Sequence, residues 1–182
     1  MRWINIKSEE LVGLECINPK NDKYILRLSP NSKNIVQDEQ DSNDTRIVSI
    51  IVNNKPSIND IKKHLLSLQK EYDKTFEVDC FILNGKKVWI DKDTRIGLFK
   101  LLDIEKQSNT ETTILWFNTT SIEIEVDKAI TLLTTVEKYA KQCYDNTQKH
   151  YAEINQLNSI EACLQYDITA GYPAILNITL TD

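Results

Sequence analysis

The sequence predicts an α+β fold in which small antiparallel β-hairpins pack with two shorter helices and one long helix of about 30 residues. An Asn84-Gly85 dipeptide stands between two short apolar segments, and it supplies the positive φ angles that a two-residue hairpin turn needs. Residues 122–126 alternate apolar side chains with glutamates, which is typical of a strand with one solvated face. Between Leu133 and Leu157 a seven-residue repeat favours a long helix packed along another helix.

Length and composition limit the classes of protein. The chain has 182 residues, enough to bury about two thirds of the unfolded surface without a metal or disulfide framework. Its four cysteines form no Cys-x-x-Cys pair, so we expect reduced, mostly buried thiols in a protein made in a reducing cytosol. The 22 basic side chains form no cluster among 27 acidic ones, which argues against nucleic-acid binding. Neither a secretory signal nor an apolar run of about 18 residues occurs, so we expect no standard export and no membrane span.

Residues 1–55 are predicted to form a β-rich N-terminal docking segment. Short runs rich in Ile, Val, Leu and Tyr predict strands at Arg2–Ile6, Tyr24–Leu28 and Thr45–Val52. The intervening stretch Pro30–Asp44 is too polar to order itself by burying apolar surface. We therefore expect a mobile acidic loop there, which orders against a partner.

Residues 56–182 are predicted to form a second, α+β domain that ends in a long helix and a closing strand. Ser57 is a suitable N-cap for its first helix, which is expected to reach about Lys74. The elements predicted after it are strands at Phe76–Leu83 and Lys86–Ile90, a helix capped by Asp91, Asp93 or Thr94, strands at Thr113–Phe117 and Ile122–Val126, a helix from Asp127, a short helix at Ser159–Tyr166 and a strand at Ala174–Leu180.

Apolar and aromatic residues indicate how these elements pack. The helix after Asp91 is predicted to bury Ile96, Phe99 and Leu102, with Ile104 as a further candidate. Trp89 and Trp116 each stand in an apolar strand next to a helix, where a tryptophan most often fills the space between sheet and helix. We therefore predict that both tryptophans pack in the core, in preference to forming a ligand-stacking platform.

The sequence contains no pattern typical of catalysis or cofactor binding. Its four glycines form no phosphate-binding loop, so we predict that the protein is not an enzyme and has no cofactor. The segment from Asp91 resembles the start of a calcium loop, but Ile96 stands where that loop needs glycine and Leu102 where it needs glutamate. The histidines, His64 and His150, have no further ligand at suitable spacing, so no metal site is predicted.

Two polar residues, Thr147 and His150, lie near the middle of the apolar seam of the long helix. Buried polar groups are costly unless each finds a hydrogen-bond partner. One explanation is that the second half of the helix projects outward and meets neighbouring subunits, and we favour it here because about 30 helical residues span about 45 Å. The other is that the helix folds back on the helix from Thr94 to Lys106, with both polar groups satisfied locally. The candidate subunit-interface residues are Val136, Cys143, Thr147, His150, Ile154 and Leu157.

A set of motifs in the second domain resembles a known family. The motifs are Trp89-Ile90-Asp91, Asp93-Thr94-Arg95 opening a helix, Trp116 on a strand, Val136-Glu137-x-Tyr139-Ala140-x-x-Cys143 on the long helix, and the stretch Tyr166–Pro173. Together they resemble a domain of unknown function found in tail-fibre and other tail-associated proteins of tailed phages and prophages. The similarity covers roughly residues 76–180.

The resemblance implies a function. It leads us to expect a phage virion structural protein, made in the host bacterial cytoplasm, that is a tail or appendage component. Such a protein would act by protein–protein contact with other virion proteins, as a symmetric homo-oligomer in a multi-copy assembly. The alternatives are a tail-fibre assembly chaperone and a host-glycan-binding module. The family offers no catalytic residues to carry over.

Overall fold

The computed structural model describes residues 2–5, 13–28, 46–117 and 120–180. These residues belong to two compact units. Unit 1 comprises Met1–Glu77 with Asn146–Tyr172, and unit 2 comprises Val78–Asp145 with Pro173–Asp182. The observed division therefore does not fall at the predicted boundary after residue 55.

Unit 1 contains a four-stranded antiparallel sheet. Its strands are β1 (Arg2–Asn5), β2 (Gly13–Asn18), β3 (Lys23–Leu28) and β4 (Arg46–Asn53), in the order β1-β4-β3-β2. Three of these strands were predicted, whereas β2 was not, because its sequence GLECIN carries glycine, glutamate and asparagine that lower its strand propensity. The predicted loop at Pro30–Asp44 lies outside the described residues, together with its expected ordering on a partner.

Helix α1 (Ile58–Tyr72) has the predicted N-cap, Ser57, which forms a capping box with Asp60. The Ser57 hydroxyl accepts a hydrogen bond from the Asp60 amide at 3.3 Å, and the Asp60 carboxylate accepts one from the Ser57 amide at 3.0 Å. The helix buries one apolar face, and it ends two residues before the predicted Lys74. The buried apolar residues of α1 are Ile61, Leu65, Leu68 and Tyr72.

Two helices complete the α-helical part of unit 1. The long helix α3 (Val126–Gln156) contributes residues 146–156 to this unit, and α4 (Ile160–Gln165) is capped by Ser159. Helix α4 packs against both α1 and β3. This packing explains why the N-terminal strands share a unit with α1 and α4, and why a boundary at residue 55 is not observed.

Unit 2 contains a three-stranded sheet in the order β6-β5-β9. Its strands are β5 (Phe81–Leu83), β6 (Lys86–Val88) and β9 (Asn177–Ile178), with β9 parallel to β5. The predicted hairpin turn is confirmed, because Asn84 and Gly85 have φ angles of 49° and 78°. The strands predicted at Phe76–Leu83 and Ala174–Leu180 are shorter than expected.

The other elements of unit 2 are α2 (Lys92–Gln107), a two-stranded ribbon of β7 (Thr112–Phe117) and β8 (Thr120–Glu125), and residues 126–145 of α3. The Asp91 carboxylate caps α2 by accepting hydrogen bonds from the amide of Thr94 at 3.0 Å and from its hydroxyl at 2.6 Å. Capping by Asp91 was one of the predicted options. The mixed α+β class with one helix of 31 residues agrees with the predicted fold class.

The buried side of α2 differs from the predicted one. Leu102 is buried as expected, but Ile96 and Ile104 are exposed and Phe99 is half-buried. Arg95 is buried instead, seven residues before Leu102, so that the inward face of the helix is centred on these two residues. No helix within the described ranges is both long and apolar enough to cross a bilayer.

Candidate interaction sites

The six residues predicted for a subunit interface are largely buried within the single chain. Val136 and Ile154 are fully buried, Cys143 is 3% exposed, and Leu157 is half-buried. The polar pair is buried as well, with exposed fractions of 2% for Thr147 and 4% for His150. The expected outward projection of the second half of the helix is therefore wrong, because residues of the same chain already cover this seam.

Thr147 belongs to a chain of hydrogen bonds whose direction can be deduced. Its hydroxyl lies 2.6 Å from the Asp73 carboxylate, which can only accept, so Thr147 is the donor there. The phenol of Tyr172, 2.7 Å from the same hydroxyl, must then donate to Thr147. The Gln69 amide donates to that phenol at 2.7 Å. The buried Thr147 hydroxyl is thus satisfied by two residues of unit 1, Asp73 and Tyr172.

His150 has hydrogen-bond partners on both ring nitrogens. Nε2 lies 2.8 Å from the carbonyl oxygen of Ala170, an acceptor, so Nε2 carries a proton. Nδ1 lies 2.7 Å from the phenol oxygen of Tyr166, and that phenol donates to the Glu153 carboxylate at 2.7 Å. The His150 ring also stacks on Tyr172, with 5.7 Å between centroids and 19° between planes.

The turn at residues 170–171 is fitted closely to α3. The side-chain amide of Asn146 donates to the Ala170 carbonyl at 2.8 Å. Gly171 has a φ of 77°, and a Cβ atom there would lie 2.8 Å from Oδ1 of Asn146. The backbone conformation at this position favours glycine, and any larger residue would also displace the Asn146 side chain.

Thr147, Tyr172, His150, Tyr166 and Glu153 form a polar cluster in unit 1, and its chemistry favours a structural role. Burial raises the pKa of the Tyr166 phenol, and the neighbouring Glu153 adds to the effect, so Tyr166 is a hydrogen-bond relay and not a base. A cavity of about 260 Å³ opens beside it, lined by polar residues that include Lys149 and Asp167. In the described part of the chain no group of His, Cys, Asp and Glu is arranged to hold a metal ion.

Several motif residues behind the family resemblance meet in unit 2. Arg95 is buried, and its Nε donates to the Glu137 carboxylate while Nη1 donates to the Ile90 carbonyl. Its guanidinium also lies over the Trp89 ring, 5.4 Å from the centroid. Sequence reasoning did not identify this contact, because Arg95 and Glu137 are 42 residues apart. The motif residues thus connect α2 to α3 and to the segment that precedes α2.

The outer face of the β7–β8 ribbon carries two exposed apolar residues. Trp116 is 62% exposed and Ile114 is 56% exposed, whereas Leu115 and Phe117 point inward. The prediction that Trp116 packs in the core is wrong, and Trp89 is half-buried. Both faces of β7 carry apolar residues, so the sequence alone could not determine which one is buried.

An open groove of about 740 Å³ lies between β8 and the C-terminal segment of unit 2. Strand β8 lines one side, and Ile178, Thr179 and Leu180 line the other. The first turns of α3 contribute Leu132 and polar threonines. Its volume lies within the range of about 300–1,000 Å³ that is typical of ligand sites.

No protein-family model, curated protein or solved structure matches this chain. The surfaces described above and the sequence motifs are therefore the observations from which a function can be inferred.

Proposed function

We propose that the protein is a structural protein of a phage virion, a tail or appendage component that works by protein–protein contact in a multi-copy assembly. The observation that carries the proposal is the exposed apolar face of the β7–β8 ribbon, with Trp116 and Ile114 side by side on alternate positions of β7. Tryptophan is enriched among the residues that dominate binding at protein interfaces. The sequence resemblance to tail-associated phage proteins supports the virion context.

The composition of the ribbon face indicates a protein partner. Trp116 is paired across the ribbon with Ser121, and Ile114 is paired with Glu123, so apolar side chains lie next to polar ones. An apolar centre with a polar surround is the usual arrangement at a protein interface. The occupant we propose is another virion protein, since the seam of α3 is buried within the chain and is not available to a second copy.

Mass spectrometry of purified particles tests the virion role. The wild-type chain is expected in particles, and the double variant Ile114→Thr with Trp116→Ser is expected to fold but to be missing from them. Tyr144→Ser is the matched control, because Tyr144 is an equally exposed aromatic residue of unit 2 outside the ribbon. If the wild-type chain is absent from particles whose tail fibres depend on it, the role is that of an assembly chaperone and the proposal fails.

A host-glycan-binding module is the second candidate, favoured by the exposed ring of Trp116. A glycan array distinguishes it from the first proposal. Binding that disappears in Trp116→Ser but persists in Tyr144→Ser, with normal incorporation of both variants into particles, would replace the docking role by glycan binding.

A further inference from the structure

We propose that the groove between β8 and β9 binds an extended, basic segment of a partner protein as an added β-strand. The inference goes beyond the docking role of the ribbon face, because it concerns the groove beside that face, with which it shares Glu123, and does not depend on a virion context. It follows from the hydrogen-bonding directions of two strand edges, from the apolar side chains between them, and from the charge of the groove.

The free edge of β8 exposes backbone groups with strand spacing. The Val126 amide donates to the Glu111 carbonyl at 3.0 Å, which fixes the alternation of the antiparallel ladder. Ile124 and Ile122 lie two and four residues before Val126, so they also direct their backbone groups toward β7. The amide and carbonyl of Glu123 point the other way, toward the groove that Glu123 lines.

The free edge of β9 has the complementary arrangement. The amides of Ile82 and Asn84 donate to the carbonyls of Leu176 at 2.7 Å and Ile178 at 2.9 Å. In a parallel pair, alternate residues direct both backbone groups to the same neighbour. Asn177 and Thr179 therefore direct theirs away from β5, and Thr179 lines the groove.

The side chains of the groove suit an extended segment. Ile124 and Leu132 are buried at its base, and Ile122 and Ile178 are half-buried. A strand inserted here would direct alternate side chains toward this apolar base while its backbone pairs with the two edges. Unpaired edges of this kind are the usual sites of β-strand addition.

The charge of the groove indicates a basic partner. Three carboxylates line it, those of Glu123, Glu125 and Asp127, with one ammonium group, Lys128. Lys128 pairs with Glu125 at 3.0 Å, and Lys106, outside the groove, pairs with Asp127 at 2.8 Å. All four side chains are more than half exposed, so both ion pairs are weak and can be exchanged. A second copy of this chain is a poor occupant, because antiparallel pairing of two β8 edges would bring glutamates close to each other.

Fluorescence anisotropy with the full chain tests the proposal. The probes are labelled octapeptides that alternate Lys or Arg with Val, Ile or Thr, and we expect at least one to bind with a dissociation constant below about 1 mM. The same peptide with proline at its central positions should not bind, since proline removes amide donors. Failure of every octapeptide to bind at about 1 mM, or equal binding of the proline form, would overturn the proposal.

Two variants locate the binding site. Thr179→Pro removes an amide that points into the groove and takes no part in the pairing with β5, so the fold should persist while affinity falls about tenfold. Glu123→Lys tests the charge and should weaken binding by a similar factor. Glu111→Lys is the matched control, since Glu111 is an exposed carboxylate of unit 2 that does not line the groove.

Folding of each variant is checked by circular dichroism. If Thr179→Pro does not fold, the comparison of Glu123→Lys with Glu111→Lys decides. Equal peptide affinity in those two variants would contradict the site. Sedimentation of the wild-type chain alone as a dimer that Glu123→Lys dissociates would also overturn the proposal, because the occupant would then be a second copy.

Discussion

The Nδ1 atom of His150 lies 2.7 Å from the phenol oxygen of Tyr166, and the neighbours of both groups determine which of them donates. The Tyr166 proton points to Glu153, whose ionised carboxylate can only accept. Nδ1 must then donate to Tyr166, while Nε2 donates to the Ala170 carbonyl. In this hydrogen-bonded arrangement both ring nitrogens of His150 therefore act as donors.

Nitrogen NMR of the His150 ring checks this assignment directly. If the arrangement in the structure holds, both ring nitrogens of His150 should have the chemical shifts of nitrogens that carry a proton and donate a hydrogen bond. In Glu153→Gln the tyrosine proton is no longer held by a carboxylate, and the shift of Nδ1 should change more than that of Nε2. A nonprotonated Nδ1 in the wild-type chain would mean that Tyr166 donates to His150 and not to Glu153.

Replacement of Tyr166 by phenylalanine should destabilise unit 1. The change leaves Nδ1 of a residue that is only 4% exposed without its hydrogen-bond partner, and it also removes a bond to Glu153. We expect the free energy of unfolding to fall by about 1–3 kcal/mol. Urea denaturation measures the change, and Tyr144→Phe serves as the control because Tyr144 is exposed. An equal effect of the two substitutions would contradict the role of the Tyr166 phenol.

The free energy of unfolding should fall in acid partly because the Glu153 carboxylate becomes protonated. Its pKa lies below the ordinary value of 4.5, chiefly because Tyr166 donates a hydrogen bond to the carboxylate, with a smaller contribution from the charge of Lys149. A group with a lowered folded-state pKa stabilises the protein above its unfolded-state pKa, and this contribution is lost as the pH falls through the folded-state value. Glu153→Gln should therefore reduce the loss of stability between about pH 7 and pH 3.

Urea denaturation at several pH values measures that difference. Glu71→Gln is the control for removal of one carboxylate, since Glu71 is exposed on α1. An acid-induced loss of stability that is the same in Glu153→Gln as in the wild-type chain would show that the hydrogen bond from Tyr166 does not contribute.

Local features of the fold could be predicted because their determinants are close in sequence. The caps at Ser57 and Asp91 each involve residues three positions apart, and the Asn84-Gly85 turn depends on two adjacent residues. The environment of Thr147 could not be predicted in this way. Its partner Asp73 lies 74 residues away, and nothing in the local pattern of α3 identifies it.

The candidate sites depended on choices that the sequence pattern left open. Both faces of β7 carry apolar residues, so the sequence pattern does not show which face is buried. The structure shows that Leu115 is buried and that Trp116 is exposed. The groove depends on β9, a strand of two residues that pairs with β5 from the far end of the chain. Thr147 and His150 in the apolar seam were expected to need hydrogen-bond partners. The structure supplies these partners from the same chain.

Thiol labelling should distinguish one cysteine from the other three. Cys16 is exposed, whereas Cys80, Cys143 and Cys163 are buried, and burial raises the pKa of the Cys163 thiol. Reaction with a thiol reagent requires an accessible thiolate. We expect rapid labelling of one thiol per native chain and of all four after denaturation. Cys16→Ser should abolish the rapid phase, and its persistence would show that a second thiol is accessible.

Arg95 should be among the most sensitive positions of unit 2. Its side chain is 6% exposed, and it joins the Glu137 carboxylate, the Ile90 carbonyl and the Trp89 ring. Glu137 is 45% exposed, so water weakens the ionic part, and the hydrogen bond to the carbonyl and the packing account for much of the expected effect.

Arg95→Leu is expected to lower the free energy of unfolding by about 1–3 kcal/mol, because the Ile90 carbonyl loses its donor. Arg95→Lys should recover only part of that loss, since an ammonium group lacks the planar fork that reaches two acceptors and stacks on an indole. Lys100→Leu, at an exposed position of the same helix, is the control for removal of a positive charge from α2. Urea denaturation of the three variants ranks them, and full recovery by lysine would mean that charge alone, and not the shape of the guanidinium group, stabilises the contact between α2 and α3.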